Sequence, residues 1–218
     1  ELNDIRRQKE EWQKQTVRDL ADGNAEKALM TLAAAGRVTV ADDRDAARWN
    51  LVEDWKPIGT SSPERALIFV GTNSDATSIN RMCQSARRKA GQLGLASATI
   101  GSGTVHEGDR LLFTKNSQRY DVRNGHIGKV TGIHTLGPER DDKLLMVRLD
   151  GGRTVSFPLA DYSHVKLGYA VTTHKGQGAT VDNAFILVGG MMQDRELSYV
   201  QGARARHETS VYTDRFQA

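Results

Sequence analysis

The chain has 218 residues, of which 38% are hydrophobic, and its 30 Lys and Arg against 27 Asp and Glu give a formal net charge of +3. This length and composition predict a globular protein with one sizeable domain and a smaller one. A pI near 9.0 is compatible with a polyanionic partner without requiring one. No apolar run reaches the roughly 18 to 20 residues of a membrane span, and the charged amino terminus lacks a signal peptide's apolar segment. The sequence therefore predicts a cytoplasmic protein with no membrane partner.

The first 63 residues are predicted to be helical. Apolar residues recur at helical spacing in NAEKALMTLAAAG, where Asn24 is placed to cap a helix and Gly36 to end it. A second helix is expected from about Asp43 to Trp55. Because the chain opens without a Met inside a helix-like pattern, we expect it to be a piece of a larger protein.

An α/β unit follows these helices. The segment ALIFVGTNSD predicts a strand at Leu67 to Val70 that ends in a polar loop. The next residues carry apolar side chains at positions 79, 82, 83, 86, 90 and 93, which is typical of a helix packed on one face. The basic end of that helix, ARRKAG at 86–91, is interpreted as solvated. In such units the functional residues usually lie in the loop after the strand.

Short alternating strands are predicted from about Val105 onward. RLLFT, IGKVTGI, LLMVRLD and TVSF are separated by the turn signals RNG and DGG, a pattern typical of a small SH3-like barrel. AFILVGG and TSVYTD then predict buried strands, with a helical segment QDRELSYVQGARAR between them. The simplest organisation is one α/β domain formed by residues 1–104 and 166–218, interrupted by the barrel at 105–165.

A polar, glycine-rich cluster, TTHKGQG at 172–178, comes immediately before one of the most apolar runs in the chain. Glycines let backbone N–H groups approach an anion closely, and hydroxyl and imidazole groups can bind phosphates. From composition alone, a glycine-rich turn with a solvated lysine explains the cluster equally well.

The wider segment YAVTTHKGQGATVD resembles motif V of superfamily 1 helicases of the 5′-to-3′ class. Three other segments resemble helicase motifs in the right order: LNDIRRQ is similar to motif IV, LIFVGTN to the strand and Thr-Asn loop that contacts single-stranded DNA, and YVQGARARHETSVYTD to motif VI. GDRLLFTKN and VRNGHIGKV resemble the inserted 2B domain. IRRQKEEWQKQ and INRMCQSARRKAGQLG extend the similarity to conjugative relaxase-helicases of the TraA/TraI type.

The resemblance implies a RecA-like (P-loop NTPase-type) second helicase domain with an SH3-like insertion. In such helicases, two RecA-like domains bind ATP between them. It implies DNA contacts from Thr72, Asn73, Thr172, His174 and Lys175. It implies ATP contacts from Gln8, Gln177 and Gly178, and no metal ligand. Arg7 and Arg204 would be catalytic arginines that reach the γ-phosphate, where an arginine stabilises charge that grows in the transition state.

The nucleotide-binding motifs of a first motor domain are missing. No G-x-x-x-x-G-K-[ST] occurs, and no apolar strand ends in an Asp-Glu pair that could organise Mg²⁺. We therefore expect ATP and Mg²⁺ to be used by the full-length protein, and this chain alone to bind neither and to be inactive. Motif VI also departs from its usual pattern, since Ala203 replaces the Ser or Thr that precedes the arginine.

Two functions remain open at the level of the sequence. The first is the second motor domain of an ATP-dependent DNA helicase in plasmid conjugation, with three partners: single-stranded DNA, the missing first RecA-like domain, and the conjugative transfer or secretion machinery. The alternative is a vestigial helicase half that binds single-stranded DNA or serves in secretion recognition without catalysis. Arg7, Gln177 and Arg204 favour the first and Ala203 the second. A protein-interaction domain of the SH3 type would explain 105–165 but none of the flanking motifs.

Overall fold

The chain has a mixed α/β fold, as predicted. The computed structural model describes residues 15–16, 19, 24–137, 142–172, 180–189 and 204–215. A five-stranded parallel sheet packs against helices. The chain also forms a five-stranded antiparallel sheet, whose strands all lie, in the sequence, between the second and third strands of the parallel sheet.

The elements take up most of the described residues. The helices are α1 (Ala25–Ala34), α2 (Arg44–Gly59) and α3 (Asn73–Lys89). The strands are β1 (Val38–Ala41), β2 (Ala66–Val70), β3 (Ser97–Ile100), β4 (Gly103–His106), β5 (Arg110–Phe113), β6 (Ile127–Thr135), β7 (Lys143–Leu149), β8 (Thr154–Pro158), β9 (Val165–Leu167), β10 (Ala170–Thr172), β11 (Thr180–Leu187) and β12 (Arg204–Asp214). The parallel sheet has the order β1-β12-β11-β2-β10 and the antiparallel sheet the order β8-β7-β6-β5-β9, while β3 and β4 pair with each other.

The predicted helix α1 is present, but the expectation that the first 63 residues are all helical is wrong. Asn24 precedes α1 without a side-chain capping bond, and Gly36 ends the turn that follows it with φ of +69°, a conformation that glycine adopts without steric cost. Strand β1 then pairs in parallel with β12, Val38 opposite Val211. A strand of four residues is too short to show a clear period in the sequence, and its partner lies near the other end of the chain.

Helix α2 runs four residues past the predicted end at Trp55. Asp43 caps it by accepting a hydrogen bond from the Ala46 N–H at 2.8 Å, and the helix continues through Pro57 to Gly59. The Trp55 side chain is completely buried and donates from Nε1 to the Ala66 carbonyl at 3.0 Å. This bond ties α2 to the first residue of β2.

Strand β2 is buried at all five positions, and α3 follows it as predicted. The basic end of α3 is not simply solvated, because Arg87 is only 1% exposed. Its guanidinium donates to the carbonyls of Thr60 at 2.5 Å and Gly108 at 3.3 Å. A buried arginine requires such acceptors, and here they tie α3 to the loops on either side of it.

The predicted antiparallel strands are confirmed. The RNG and DGG turns contain Gly125 with φ of +93° and Gly152 with φ of +89°. Phe113, Phe157 and Tyr162 pack edge to face or tilted with ring centroids 5.4 to 5.9 Å apart, and all three side chains are buried. Whether this sheet is an SH3-like barrel stays a prediction.

A buried polar network joins the two sheets where the chain leaves β9 and enters β10. The Tyr169 hydroxyl donates to Asp109 Oδ1 at 2.5 Å, and Asp109 Oδ2 accepts from Gln84 Nε2 and from the His106 N–H, both at 2.7 Å. Burial raises the pKa of Asp109, and these three donors offset only part of that effect. The network therefore connects α3, the β4–β5 turn and the first residues of the resumed parallel sheet.

The expected helix before the last strand is wrong at its end. The sequence predicts that residues 204–206 belong to that helix, but they form the beginning of β12, which pairs in parallel with β11, Arg204 opposite Thr180. The preceding residues, 190–203, lie outside the described part of the chain.

Candidate nucleic-acid interface

Strand β10 brings Thr172 beside the end of β2. It occupies one edge of the parallel sheet, and Thr172 is level with Val70. After Val70 and Gly71, Thr72 caps α3 and Asn73 is its first residue. The three predicted DNA-contacting residues that the structure describes, Thr72, Asn73 and Thr172, therefore lie at the carboxyl-terminal edge of two neighbouring strands.

The buried Asn80 side chain holds β10 in place. The Ile68 N–H donates to the Tyr169 carbonyl at 3.1 Å, so the N–H and carbonyl of the next residue, Ala170, face away from β2. Asn80 Oδ1 accepts from the Ala170 N–H at 3.0 Å, and Asn80 Nδ2 donates to the Ala170 carbonyl at 2.8 Å. The amide thus replaces a strand neighbour on the open side of β10, which fixes the position of Thr172.

A groove of about 40 Å³ lies between α3 and the two strands β9 and β10. Its lining residues are Asn73, Ala76, Thr77, Asn80, Arg81, Ser102, Leu112, Lys166, Leu167, Ala170, Val171 and Thr172. The lining contains two cationic side chains, Arg81 and Lys166, and no carboxylate. Ser102 Oγ is buried without a hydrogen-bond partner among the described residues. We call this feature the edge groove.

The edge groove has the chemistry of a phosphate-binding surface. Neither Arg81 nor Lys166 forms an ion pair within the described part of the chain. Cations together with hydroxyl and amide groups are the side chains that contact the sugar-phosphate backbone, which carries no sequence information. The sequence reasoning missed Arg81 and Lys166. A signal for Arg81 was present, because Asn73, Thr77 and Arg81 repeat every fourth residue along one side of α3.

The Thr72 hydroxyl forms hydrogen bonds within the protein. It accepts from the Asp75 N–H at 3.1 Å and donates to Asp75 Oδ2 at 2.7 Å, as expected for a residue that caps a helix. A hydroxyl has a single proton to donate, and Asp75 takes it. Thr72 therefore positions Asn73 and the first turn of α3.

Asp75 itself is the centre of an ionic cluster at the same edge of the sheet. It is buried and accepts from Arg44 Nη2 at 2.8 Å and from Arg48 Nη2 at 2.7 Å. Burial alone would raise the pKa of Asp75, but the hydrogen bonds from Arg44, Thr72 and Arg48 outweigh it and hold the pKa below its usual value. Arg44 also donates to the Val188 carbonyl at 2.5 Å, so the cluster links α2 and α3 to the end of β11.

Arg204 begins β12 at the amino-terminal edge of the parallel sheet, opposite the carboxyl-terminal edge where Thr172 lies. It is level with Thr180, whereas Leu187, at the other end of β11, is level with Val70. Strands rise by about 3.3 Å per residue, so the backbone of Arg204 lies roughly 20 Å from the row that contains Thr172. The residue implied to reach ATP and the residue implied to hold DNA are therefore on different edges of one sheet.

The remaining predicted site residues, Arg7, Gln8, His174, Lys175, Gln177 and Gly178, lie outside the described residues. Within the described ranges, no group of three or more His, Cys, Asp or Glu side chains is arranged to bind a metal ion. No helix within those same ranges is both long enough and apolar enough to span a membrane.

Comparison with known proteins gives the class to which this fold belongs. No protein-family model matches the chain. The Pif1 helicase from Bacteroides in complex with ADP-AlF3 and single-stranded DNA superposes with a TM-score of 0.56 at 17% identity, over 96% of this chain and 51% of that one. The Bacteroides Pif1 bound to single-stranded DNA matches with the same TM-score over 94% and 50%. The chain thus shares its fold with about half of the Pif1 helicase chain.

Sequence similarity gives a more particular relationship. The conjugal transfer protein TraA of Agrobacterium fabrum is 33% identical over 97% of this chain, and the probable TraA of Sinorhizobium fredii is 32% identical over 97%. The RecD2 DNA helicase of Deinococcus radiodurans is 31% identical over 49%. The chain is a homologue of TraA, consistent with a superfamily 1 helicase segment. It spans about a fifth of the length of the TraA relatives, 19% in both cases.

Proposed function

We propose that this chain is the second motor domain of an ATP-dependent DNA helicase that acts in conjugative DNA transfer. In this proposal residues 1–104 and 166–218 form the RecA-like domain, and 105–165 form its SH3-like 2B insertion. The names of the TraA relatives support the role in conjugation. The Pif1 helicases that share the fold were solved with single-stranded DNA, which supports the nature of the ligand.

The observation that carries the proposal is the edge groove. Asn73 and Thr172 come from segments far apart in the sequence, and both resemble DNA-contacting motifs. They line one groove together with Arg81 and Lys166. A groove with two cations, several hydroxyl and amide groups and no carboxylate suits a phosphate backbone. His174 and Lys175, which follow Thr172 by two and three residues, would extend the same contact.

The opposite edge of the sheet would serve ATP. Arg204 would reach the γ-phosphate from the amino-terminal edge, together with Arg7, while Gln8, Gln177 and Gly178 would complete this side of the nucleotide site. ATP and Mg²⁺ would be bound mainly by the first RecA-like domain, whose motifs the sequence does not contain. If DNA and nucleotide bind at separate edges, one rigid sheet could transmit the state of the nucleotide to the bound DNA strand.

Binding of single-stranded DNA to the 218-residue chain tests the proposal. Labelled oligonucleotides of different sequence would be titrated by fluorescence anisotropy at two salt concentrations. We expect weak binding that falls with added salt and depends little on sequence, because a single domain of small net charge neutralises few phosphates. Arg81→Ala, Lys166→Ala and Thr172→Ala should each weaken binding.

The matched control is Lys56→Ala, which removes one positive charge from an ion pair with Glu53 on α2 and should leave binding unchanged. Tight, sequence-selective binding that the edge-groove variants do not alter would contradict the proposal. Retained DNA binding combined with normal ATP turnover in a full-length Arg204→Ala variant would favour the non-catalytic alternative.

A further inference from the structure

The antiparallel sheet contains a second cationic site, away from the edge groove. Lys129 on β6 and Arg148 on β7 are directly opposite each other in the antiparallel ladder, and Arg110 on β5 is opposite Lys129 on the other side. Directly opposed residues share a face of the sheet with Cβ atoms about 5 Å apart. Three cations therefore stand in one row across three adjacent strands.

Only one cation of this row is neutralised within the described residues. Arg110 is buried and forms a bidentate pair with Asp150, with both distances 2.6 Å. Lys129 and Arg148 form neither an ion pair nor a side-chain hydrogen bond in that part of the chain. Like charges placed directly opposite each other destabilise a sheet, so this pair costs stability unless an anion binds between the two groups.

The pair faces an open recess of about 440 Å³. The recess is lined by Gln92, Gly94, Glu107, Gly108, Lys129, Val130, Thr131 and Arg148. Its one carboxylate, Glu107, packs toward the backbone of Gly94, where a Cβ would lie 3.4 Å from Oε2, and it forms no ion pair with either cation. The recess thus offers two unneutralised cations and enough room for a phosphodiester.

We propose that this recess binds a phosphate of the DNA backbone and is a second contact of the protein with the strand. This inference rests on the proposed function, because the recess belongs to the same chain as the edge groove and DNA is the polyanion for which the chain is proposed. The contact would be independent of base sequence, since a backbone phosphate carries no sequence information.

The test compares two double variants of the 218-residue chain. Lys129→Thr with Arg148→Thr removes the recess cations and introduces β-branched residues, which suit adjacent strands. Lys143→Ala with Arg153→Ala is the control, because it removes the same net charge from β7 and from the turn that joins β7 to β8. Lys143 instead donates to Thr135 at 2.8 Å, and Arg153 is paired with Asp121 at 2.7 Å.

We expect the recess variant to bind single-stranded DNA several-fold more weakly and the slope of log K against log salt to fall by about 0.7, which corresponds to one lost phosphate contact. The control should retain the parent slope. Lys129→Arg with Arg148→Lys keeps both charges and should retain most of the affinity. The recess variant should also melt no lower than the parent, because a like-charge pair has been removed.

The outcomes separate this inference from the proposed function. If edge-groove variants weaken DNA binding and the recess variant does not, the recess assignment is wrong while the proposed function stands. If the unaltered chain binds no DNA, both are wrong. If inorganic phosphate shifts the melting temperature of the parent but not of the recess variant, while DNA affinity is equal in both, the site binds free phosphate and the DNA assignment is overturned.

Discussion

The Tyr169 hydroxyl donates to the buried Asp109 carboxylate at 2.5 Å, across the point where the antiparallel sheet ends and the parallel sheet resumes. Tyr169 also packs edge-on against Trp55 with ring centroids 5.8 Å apart. Its pKa is raised by burial and by the neighbouring Asp109, so the hydroxyl remains a proton donor at neutral pH. One side chain therefore ties the antiparallel sheet to the core of the parallel one.

Tyr169→Phe should lower the free energy of unfolding by about 1 to 3 kcal/mol, because it leaves a buried carboxylate without one of its donors. Urea denaturation measures this change. Tyr120→Phe, which removes a hydroxyl that donates to the exposed Asp161 at 3.1 Å, is the control and should cost less. Equal losses in the two variants would show that the Tyr169 bond contributes nothing particular to the junction.

Asp109 should also make stability depend on pH. Its pKa is raised in the folded protein, so the folded state binds the proton more tightly and stability falls as pH rises from the usual Asp value, near 3.8, through the folded value. Tyr169→Phe removes a donor to the ionised form, so the pKa should rise further and the decline should extend to higher pH. Denaturation of both proteins across a pH series would show this, and parallel curves would contradict it.

Asp75 should contribute the opposite dependence. Its pKa is lowered in the folded protein, so its stabilisation is present above the usual value near 3.8 and is lost as pH falls through the folded value. Asp75→Asn should cost roughly 2 kcal/mol at neutral pH, less than the ~3–5 kcal/mol of a fully buried pair, because Arg44 and Arg48 remain 23% and 20% exposed. The acid-induced loss should be smaller in this variant, and an unchanged acid profile would assign that loss to other groups.

Thr72 and Asn73 are adjacent, yet they should behave differently. Thr72→Val removes the helix cap and should lower stability by about 1 kcal/mol, with Thr72→Ser restoring it. Asn73→Ala should leave stability within about 0.5 kcal/mol, because its side chain is exposed, and should weaken DNA binding. Melting curves and anisotropy on the same samples distinguish the two roles. A Thr72→Ser variant that is stable but fails to bind DNA would mean that Thr72 contacts the ligand through more than its capping hydroxyl.

ATP turnover should depend on the edge of the sheet that carries Arg204. The isolated chain is expected to release no phosphate from ATP with single-stranded DNA present, and purified chain that turns over would refute this. In the full-length protein, Arg204→Ala should reduce turnover by about 10³ to 10⁵ and leave DNA affinity within a few-fold, because the two edges are far apart. Arg7→Ala should behave alike. Weakened DNA binding as the main effect would show that the two edges do not divide these roles.

Local patterns in the sequence were sufficient to predict much of the secondary structure. The one-faced apolar spacing of residues 79, 83 and 86 marked α3, and the glycine turns at 125 and 152 separated the antiparallel strands. The helicase-like motifs also implied DNA contacts from Thr72, Asn73 and Thr172, and these contacts stay a prediction. These signals are local because a helix face or a tight turn is specified by residues a few positions apart.

Only the tertiary structure decided which of these residues meet. Strand β1 is too short to be recognised without β12. The hydrogen bonds from the Asn80 side chain to β10 could be recognised only once the open side of that strand was known. Arg81 on α3 and Lys166 on β9 share a groove although four strands of the antiparallel sheet, β5 to β8, lie between them in the sequence. Lys129 and Arg148 oppose each other because of the register of β6 and β7. Strand register and sheet order arise from contacts between residues distant in sequence, and local periodicity carries no information about them.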